Sequence, residues 1–184
     1  MAFADPRPIA AKNGGVLASR LFLLRHAKAG WAAPGMRDFD RPLDASGIAD
    51  AEAMGVAMRA RGYVPDLTLC SNATRARETL EGIAGNADTG RVLFSDALYS
   101  EDATGYLSII QGHGAAGSLL VIGHNPMMED LAMAVSGSGD DNARATLNSG
   151  FPTSGVAVIR FEGSLADAAP GRGYLENFLT PADL

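Results

Sequence analysis

Residues 21–24 form a short unbroken apolar run that stops at the polar pair Arg25-His26, the pattern of a strand buried on both faces of a parallel sheet. Residues 30–42 carry Gly, Pro and charges without apolar period and read as a loop over the end of that strand. Beyond it, Ile48, Ala51, Met54, Ala57 and Met58 recur at helical spacing as far as Arg61, with Asp44 or Ser46 as the cap and Gly62 closing the helix. Residues 65–70 make a second strand, and Ser71 and Asn72 cap a helix over ATRARETLEGIAG. A third strand is expected at 91–94, a helix at 102–111 and a fourth strand at 118–122. That fourth strand ends in Gly123-His124-Asn125, and Pro126 then stands at the first position of a helix reaching Val135. The small, polar stretch GSGDDNARATLNSG reads as a loop, residues 155–161 alternate into a last strand, and residues 170–184 read as a short closing tail. Strands alternating with helices predict an α/β fold: a three-layer sandwich with a mainly parallel central sheet flanked by helices.

Length narrows this to one domain, expected over residues 19–184, with residues 1–18 as a loose N-terminal extension. The net charge of −6 gives no basic footprint, so neither nucleic acid nor an anionic membrane is an expected partner, and an anionic substrate must be held by locally placed arginines. Cys70 is the single cysteine, which rules out an internal disulfide and fits a reducing compartment. The first twenty residues lack the apolar core of a signal peptide, and no apolar run approaches a membrane span. The expected location is therefore the cytoplasm.

In parallel α/β sheets ligands gather beyond the carboxyl ends of the strands. Three predicted strand ends there present Arg25-His26, then Ser71 with Arg75 on the opening turn of its helix, then Gly123-His124-Asn125. Two histidines and two arginines beside helix N-termini describe a phosphate pocket. A neutral imidazole is a competent nucleophile when one ring nitrogen is pinned by a carbonyl and the other aims its lone pair at phosphorus, which is the position of His26. The guanidinium forks of Arg25 and Arg75 match phosphoryl oxygens, and His124 supplies a further donor.

The same residues carry a resemblance. LFLLRHAKA resembles the first-strand signature of the histidine phosphatase superfamily, SNATRARETL its second arginine motif and VIGHNP its second histidine motif, all in the family's order. DFDRPLDASG and FPTSGVAVIRF resemble further stretches of the SixA-like phosphohistidine phosphatases, and the likeness spans residues 21–161. The resemblance implies a phosphoglycerate mutase-like fold and a hydrolase that needs neither metal nor other cofactor. His26 would be the phosphorylated nucleophile, Arg25 and Arg75 the phosphate clamps and His124 the second catalytic histidine. Asn125 would join the phosphate site, and Lys28, Asp40 and Arg41 would border its entrance. The superfamily's mutases and sugar bisphosphatases also use a glutamate acid. Glu101 and Asp102 lie in the corresponding interval, but LYSEDATGY lacks the mutase pattern and neither is assigned. The implied partner is a phosphorylated protein bearing phosphohistidine, with a small phosphorylated molecule as the alternative substrate and a non-catalytic phosphate-binding module as the alternative function.

Other chemistries fit less well. Cysteine-dependent phosphatases need an arginine where Ala76 stands relative to Cys70, and Cys70 reads as a small buried hydrophobe. No HExxH or close histidine and carboxylate cluster suggests a metal, and no GxGxxG follows the first strand. Arg77, His113 and Glu129 have no motif support and are expected to be surface or structural residues.

Overall fold

The computed structural model describes residues 18–184, so all but the last residue of the expected N-terminal extension lies outside the described residues; Ala18 itself opens the first strand. Seven strands form one sheet: β1 (Ala18–Arg25), β2 (Leu67–Ser71), β3 (Arg91–Ser95), β4 (Ser118–Gly123), β5 (Ser136–Gly139), β6 (Val156–Glu162) and β7 (Gly173–Leu179). Their order is β3-β2-β4-β1-β6-β7-β5, and β6 alone runs against the others. Parallel neighbours need crossovers, and helices supply them on both faces. The helices are α1 (Ala45–Ala60), α2 (Thr74–Ala84), α3 (Ala97–Ser100), α4 (Ala103–Gly112), α5 (Met127–Val135) and α6 (Asp141–Asn148).

Alternation along the central strands divides the core in two. Leu21, Leu23, Leu119 and Val121 face one layer with Ile110 of α4, Leu131 of α5 and Leu147 of α6. Phe22, Leu24, Leu120 and Ile122 face the other with Met54 and Met58 of α1 and Leu80 and Ile83 of α2. This two-sided burial is what an unbroken apolar run in β1 and β4 requires, and it makes the three-layer α/β sandwich. Asp44 caps α1 by accepting from Gly47 N–H at 2.8 Å. Gly47 also lets α1 approach the chain just after β1: a Cβ there would collide with the Lys28 carbonyl.

Two segments differ from expectation. Residues 137–150, expected as a loop, contain most of β5 and all of α6. Asp140 caps α6, accepting from Asn142 N–H at 2.9 Å and Ala143 N–H at 3.0 Å, and Ala143 and Leu147 are its only buried side chains. Two apolar anchors on two turns are too few to stand out from a polar background, and SGSG becomes a strand because β7 supplies its backbone partners rather than through propensity. Residues 170–184, expected as a closing tail, contain β7. A register shift between Val158 and Ile159 puts a bulge opposite, so buried Leu175 and Phe178 break the period of two that would have marked a strand. Smaller differences are the short α3, and Pro126, which stands one residue ahead of α5 rather than inside it.

Candidate active site

Strands β1, β2 and β4 lie side by side, so their carboxyl ends bring residues from three distant stretches of chain together. His26 follows β1 immediately, and its Nδ1 lies 2.7 Å from the Ala27 carbonyl oxygen. A carbonyl only accepts, so Nδ1 carries the hydrogen and Nε2 keeps its lone pair. Arg75 Nε donates to that Nε2 at 3.2 Å. Arg75 sits on the first turn of α2, where Thr79 ties it to the histidine loop: the Thr79 hydroxyl accepts from Ala27 N–H at 2.9 Å and donates to the Arg75 carbonyl at 2.6 Å.

His124 follows β4, with its ring centre 5.0 Å from that of His26. Its Nε2 is 2.9 Å from the Ser71 hydroxyl at the end of β2. That hydroxyl oxygen also accepts from Ala73 N–H at 3.3 Å, so its own hydrogen is free to go to His124 Nε2. The single N–H hydrogen of the neutral ring is then on Nδ1, which is buried without a partner. Arg25 NH1 donates to the Phe151 carbonyl at 2.7 Å, while its Nε is likewise buried and unpaired.

Both imidazoles are neutral at physiological pH. Burial, together with the positive charges of Arg75, Arg25 and Arg41, lowers His26 to about 4 against the pull of its Ala27 hydrogen bond. Burial, His26 and Arg75 lower His124 to about 3. A nucleophile needs the neutral form, so kcat/KM for p-nitrophenyl phosphate is expected to hold well below the ordinary histidine value of 6.5 and to fall only near pH 4. The unfolded chain binds these protons at higher pH than the folded one does, so stability declines as pH drops from 6.5 toward 4. Circular dichroism at each pH separates the two losses. An acid limb centred near 6.5 in folded protein would contradict this arrangement.

Other expected site residues are placed as follows. Arg41 donates to Gly30 O at 3.0 Å and to Asp38 Oδ1 at 2.8 Å, close enough for its charge to act on His26. Asn125 uses its amide hydrogens on Glu129 at 3.0 Å and on the Phe151 carbonyl at 3.2 Å. Lys28 pairs with Asp44 at 3.3 Å, and Asp40 is an exposed partner of Arg37 at 2.6 Å, so neither joins the two histidines. Asp102 caps α4, accepting from Gly105 N–H at 2.9 Å. The thiol of Cys70 is buried, which pushes it up to about 12, far from a reactive thiolate.

Sequence reasoning missed Asp38 and Tyr99. Asp38 accepts from Arg75 NH2 at 3.0 Å and from the Tyr99 hydroxyl at 3.0 Å, and its carbonyl accepts from Arg75 NH1 at 2.7 Å. It lies in a 3-10 turn two residues from Asp40, and nothing in DFDRPLD says which aspartate turns inward. Ser154 was missed as well. At φ 59 it occupies the left-handed region uncommon for non-glycine residues, and its N–H donates to the carbonyls of Arg25 and His26 at 3.1 and 3.3 Å. Glu129, read as a surface or structural residue, receives Asn125 beside Arg25.

Among the described residues, Arg25 Nε, His124 Nδ1, Asn125 Oδ1, Ser154 Oγ and Ser136 Oγ are the buried side-chain atoms without a partner, and all but the last belong to this end of the sheet. Each such group costs about 1–3 kcal/mol; Arg25 Nε and His124 Nδ1 are N–H donors that an anion would satisfy, whereas Asn125 Oδ1 can only accept. Residues 21–99 match the model of the histidine phosphatase superfamily, branch 1. A protein of Mycobacterium tuberculosis is 39% identical over 166 residues, covering 86% of this chain and 99% of the relative. A solved SixA-type protein of Agrobacterium tumefaciens, assigned as a phosphohistidine phosphatase, is 40% identical with a TM-score of 0.75 and covers 89% of this chain and 99% of its own. The chain belongs to the histidine phosphatase superfamily, in its SixA-like branch. A second such structure, from Nakamurella multipartita, is 31% identical with a TM-score of 0.78, covering 89% of this chain and 96% of its own. Membership makes this SixA-like chain a phosphatase with the phosphoglycerate mutase-like fold. No helix among its described residues is long and apolar enough to cross a membrane.

Proposed function

We propose that this SixA-like phosphatase is a cytoplasmic, metal-independent enzyme that removes the phosphoryl group of protein phosphohistidine through a phosphohistidine intermediate on His26. The observation that carries the reading is the pair of unpartnered buried donors, Arg25 Nε and His124 Nδ1, flanking a histidine whose Nε2 lone pair is held ready by Nδ1 donation to Ala27 O. In the first step Nε2 attacks phosphorus, the bond to the departing nitrogen breaks, and its electron pair stays with that nitrogen. Arg25, Arg75 and His124 offset charge on the phosphoryl oxygens. In the second step water attacks phosphorus and the bond to Nε2 breaks. The ring keeps its Nδ1 hydrogen, returns to the neutral form and needs no added proton.

The same reasoning favours phosphohistidine as substrate. An imidazole whose second nitrogen carries a proton departs as a neutral ring, whereas an alkoxide leaving group needs an acid. Asp38, the carboxylate in contact with Arg75, is held ionised at about 2 by its hydrogen bond from Arg41 and lesser contributions from Tyr99 and Arg75, which suits it poorly to donate a proton. α3 and α4 are joined by Glu101 and Asp102 alone, so no insertion is built there to roof the site, and the loop between β1 and α1 carries Trp31 with 96% of its surface exposed. A site without a roof there suits a phosphorylated side chain on another protein. Metal independence rests on the arginines, which supply the charge, and on the described residues holding no group of three potential metal ligands.

Phosphate release from a phosphohistidine peptide and from p-nitrophenyl phosphate, with EDTA present, tests this reading. The expected result is undiminished turnover in chelator with the peptide preferred. Preference for the ester points to a small phosphoester as substrate, loss of turnover in EDTA overturns metal independence, and inactivity on both with phosphate still bound makes it a binding module.

A further inference from the structure

The geometry points to Asp38 as the residue that selects the leaving group: its carboxylate, with the aromatic wall of Tyr99 and Phe39, seats a protonated nitrogen heterocycle on the outer side of the phosphate clamp. This inference deepens the phosphohistidine reading and rests on it. Asp38 is the carboxylate that touches Arg75, and its side chain is 54% exposed, so it stands at the mouth rather than the floor of the site. The Arg75 guanidinium spans the interval, with Nε on His26 Nε2 at 3.2 Å and NH2 on Asp38 Oδ2 at 3.0 Å. In-line attack by Nε2 sends the departing group to the side of phosphorus away from His26, and we place that side at this rim.

The rim offers an acceptor among its cations: the Asp38 carboxylate, in contact with Arg41 and Arg75, keeps an exposed side for a further donor. The Tyr99 ring packs edge-on against His124 at 5.4 Å and against Phe39 at 4.9 Å, and its hydroxyl donates to Asp38, so rings and carboxylate form one surface. Arg41 at 2.8 Å, Arg75 at 3.0 Å and Tyr99 are the charged and titratable groups facing the carboxylate. Together they keep it ionised while leaving half of its surface open to a further donor. A phosphohistidine ring protonated on its second nitrogen offers that donor and a flat cationic face for aromatic contact. When the bond from phosphorus to nitrogen breaks, the electron pair stays on the departing nitrogen and the ring leaves neutral with the proton it brought. An ester leaving group brings no donor to the same carboxylate and gains nothing from it.

The test compares wild type with Asp38→Asn and Asp38→Glu on a phosphohistidine peptide and on p-nitrophenyl phosphate. A hydrogen bond between charged groups at this position predicts that Asp38→Asn lowers the ratio of kcat/KM values, peptide over ester, by roughly 10-fold or more. Asp38→Glu, which keeps the charge, restores at least part of the ratio. A ratio that falls less than this, because both substrates slow in parallel, makes Asp38 a support for Arg75 alone and overturns the inference; so does a drop that Asp38→Glu does not reverse. Phosphohistidine cleavage by the wild type with an unmoved ratio sinks this inference alone. Ester cleavage with no phosphohistidine cleavage sinks the substrate reading and this inference together.

Discussion

Replacing His26 with alanine is expected to lower kcat/KM by roughly 10⁴-fold or more, on phosphohistidine and on p-nitrophenyl phosphate alike. The effect is this large because the imidazole is the proposed attacking atom itself, and the groups left behind stabilise charge without forming a bond to phosphorus. Its Nε2 accepts from Arg75 in the resting site, and its Nδ1 donates to its own neighbour's carbonyl, so the ring is oriented by one contact on each side. Neither contact belongs to the core, and the variant should keep the thermal transition of the wild type within a few degrees. Steady-state kinetics with both substrates, alongside a melting curve, checks the two halves of this expectation. A folded variant retaining near wild-type turnover would remove His26 from the reaction.

Replacing Arg75 with alanine is expected to cost roughly 10³-fold in kcat/KM, because a loose phosphoryl-transfer transition state depends on positioned positive charge more than on any other protein contribution. Arg75 is 7% exposed, and its three donor nitrogens go to His26 Nε2, the Asp38 carbonyl and the Asp38 carboxylate. Lysine should recover little of the loss, since one ammonium cannot span a nucleophile and a rim carboxylate at once. The loss should also be visible in binding: inhibition by inorganic phosphate weakens in the same variant. Arg75→Ala protein that binds phosphate and turns over substrate as the wild type does would place the clamp elsewhere, with Arg25 the next guanidinium to examine.

The strands that position the site were readable because parallel strands buried on both faces leave an unbroken apolar record. Residues 21–24 and 118–122 end where polar residues must begin, and that boundary is the edge of the crevice. Hence His26, Arg75 and His124 were expected at converging strand ends, and the structure brings their side chains into one cluster; the roles given to them are the proposal that the kinetics above address. What the sequence concealed has a shared physical character. Asp38, Tyr99 and Thr79 matter through where a turn, a short helix and one hydroxyl happen to face, and that depends on packing between distant segments. Asp40 was as good a choice as Asp38 until the 3-10 turn fixed which of the two faces Arg75 and which pairs with Arg37. α6 and β5 were hidden because short elements held mainly by caps and borrowed backbone partners leave little periodicity.

The central claim is that a phosphoryl group passes through His26, and rapid quench trapping tests it most directly. The protein is mixed with excess phosphohistidine peptide in EDTA, quenched in alkali to preserve a phosphoramidate, digested and sequenced by mass spectrometry. The account predicts one phosphoryl group on the ring of His26, absent from His26→Ala and lost when the protein is held in acid. Turnover without any covalent phosphoenzyme, or a phosphoryl group found on His124 or on Cys70 instead, would contradict it.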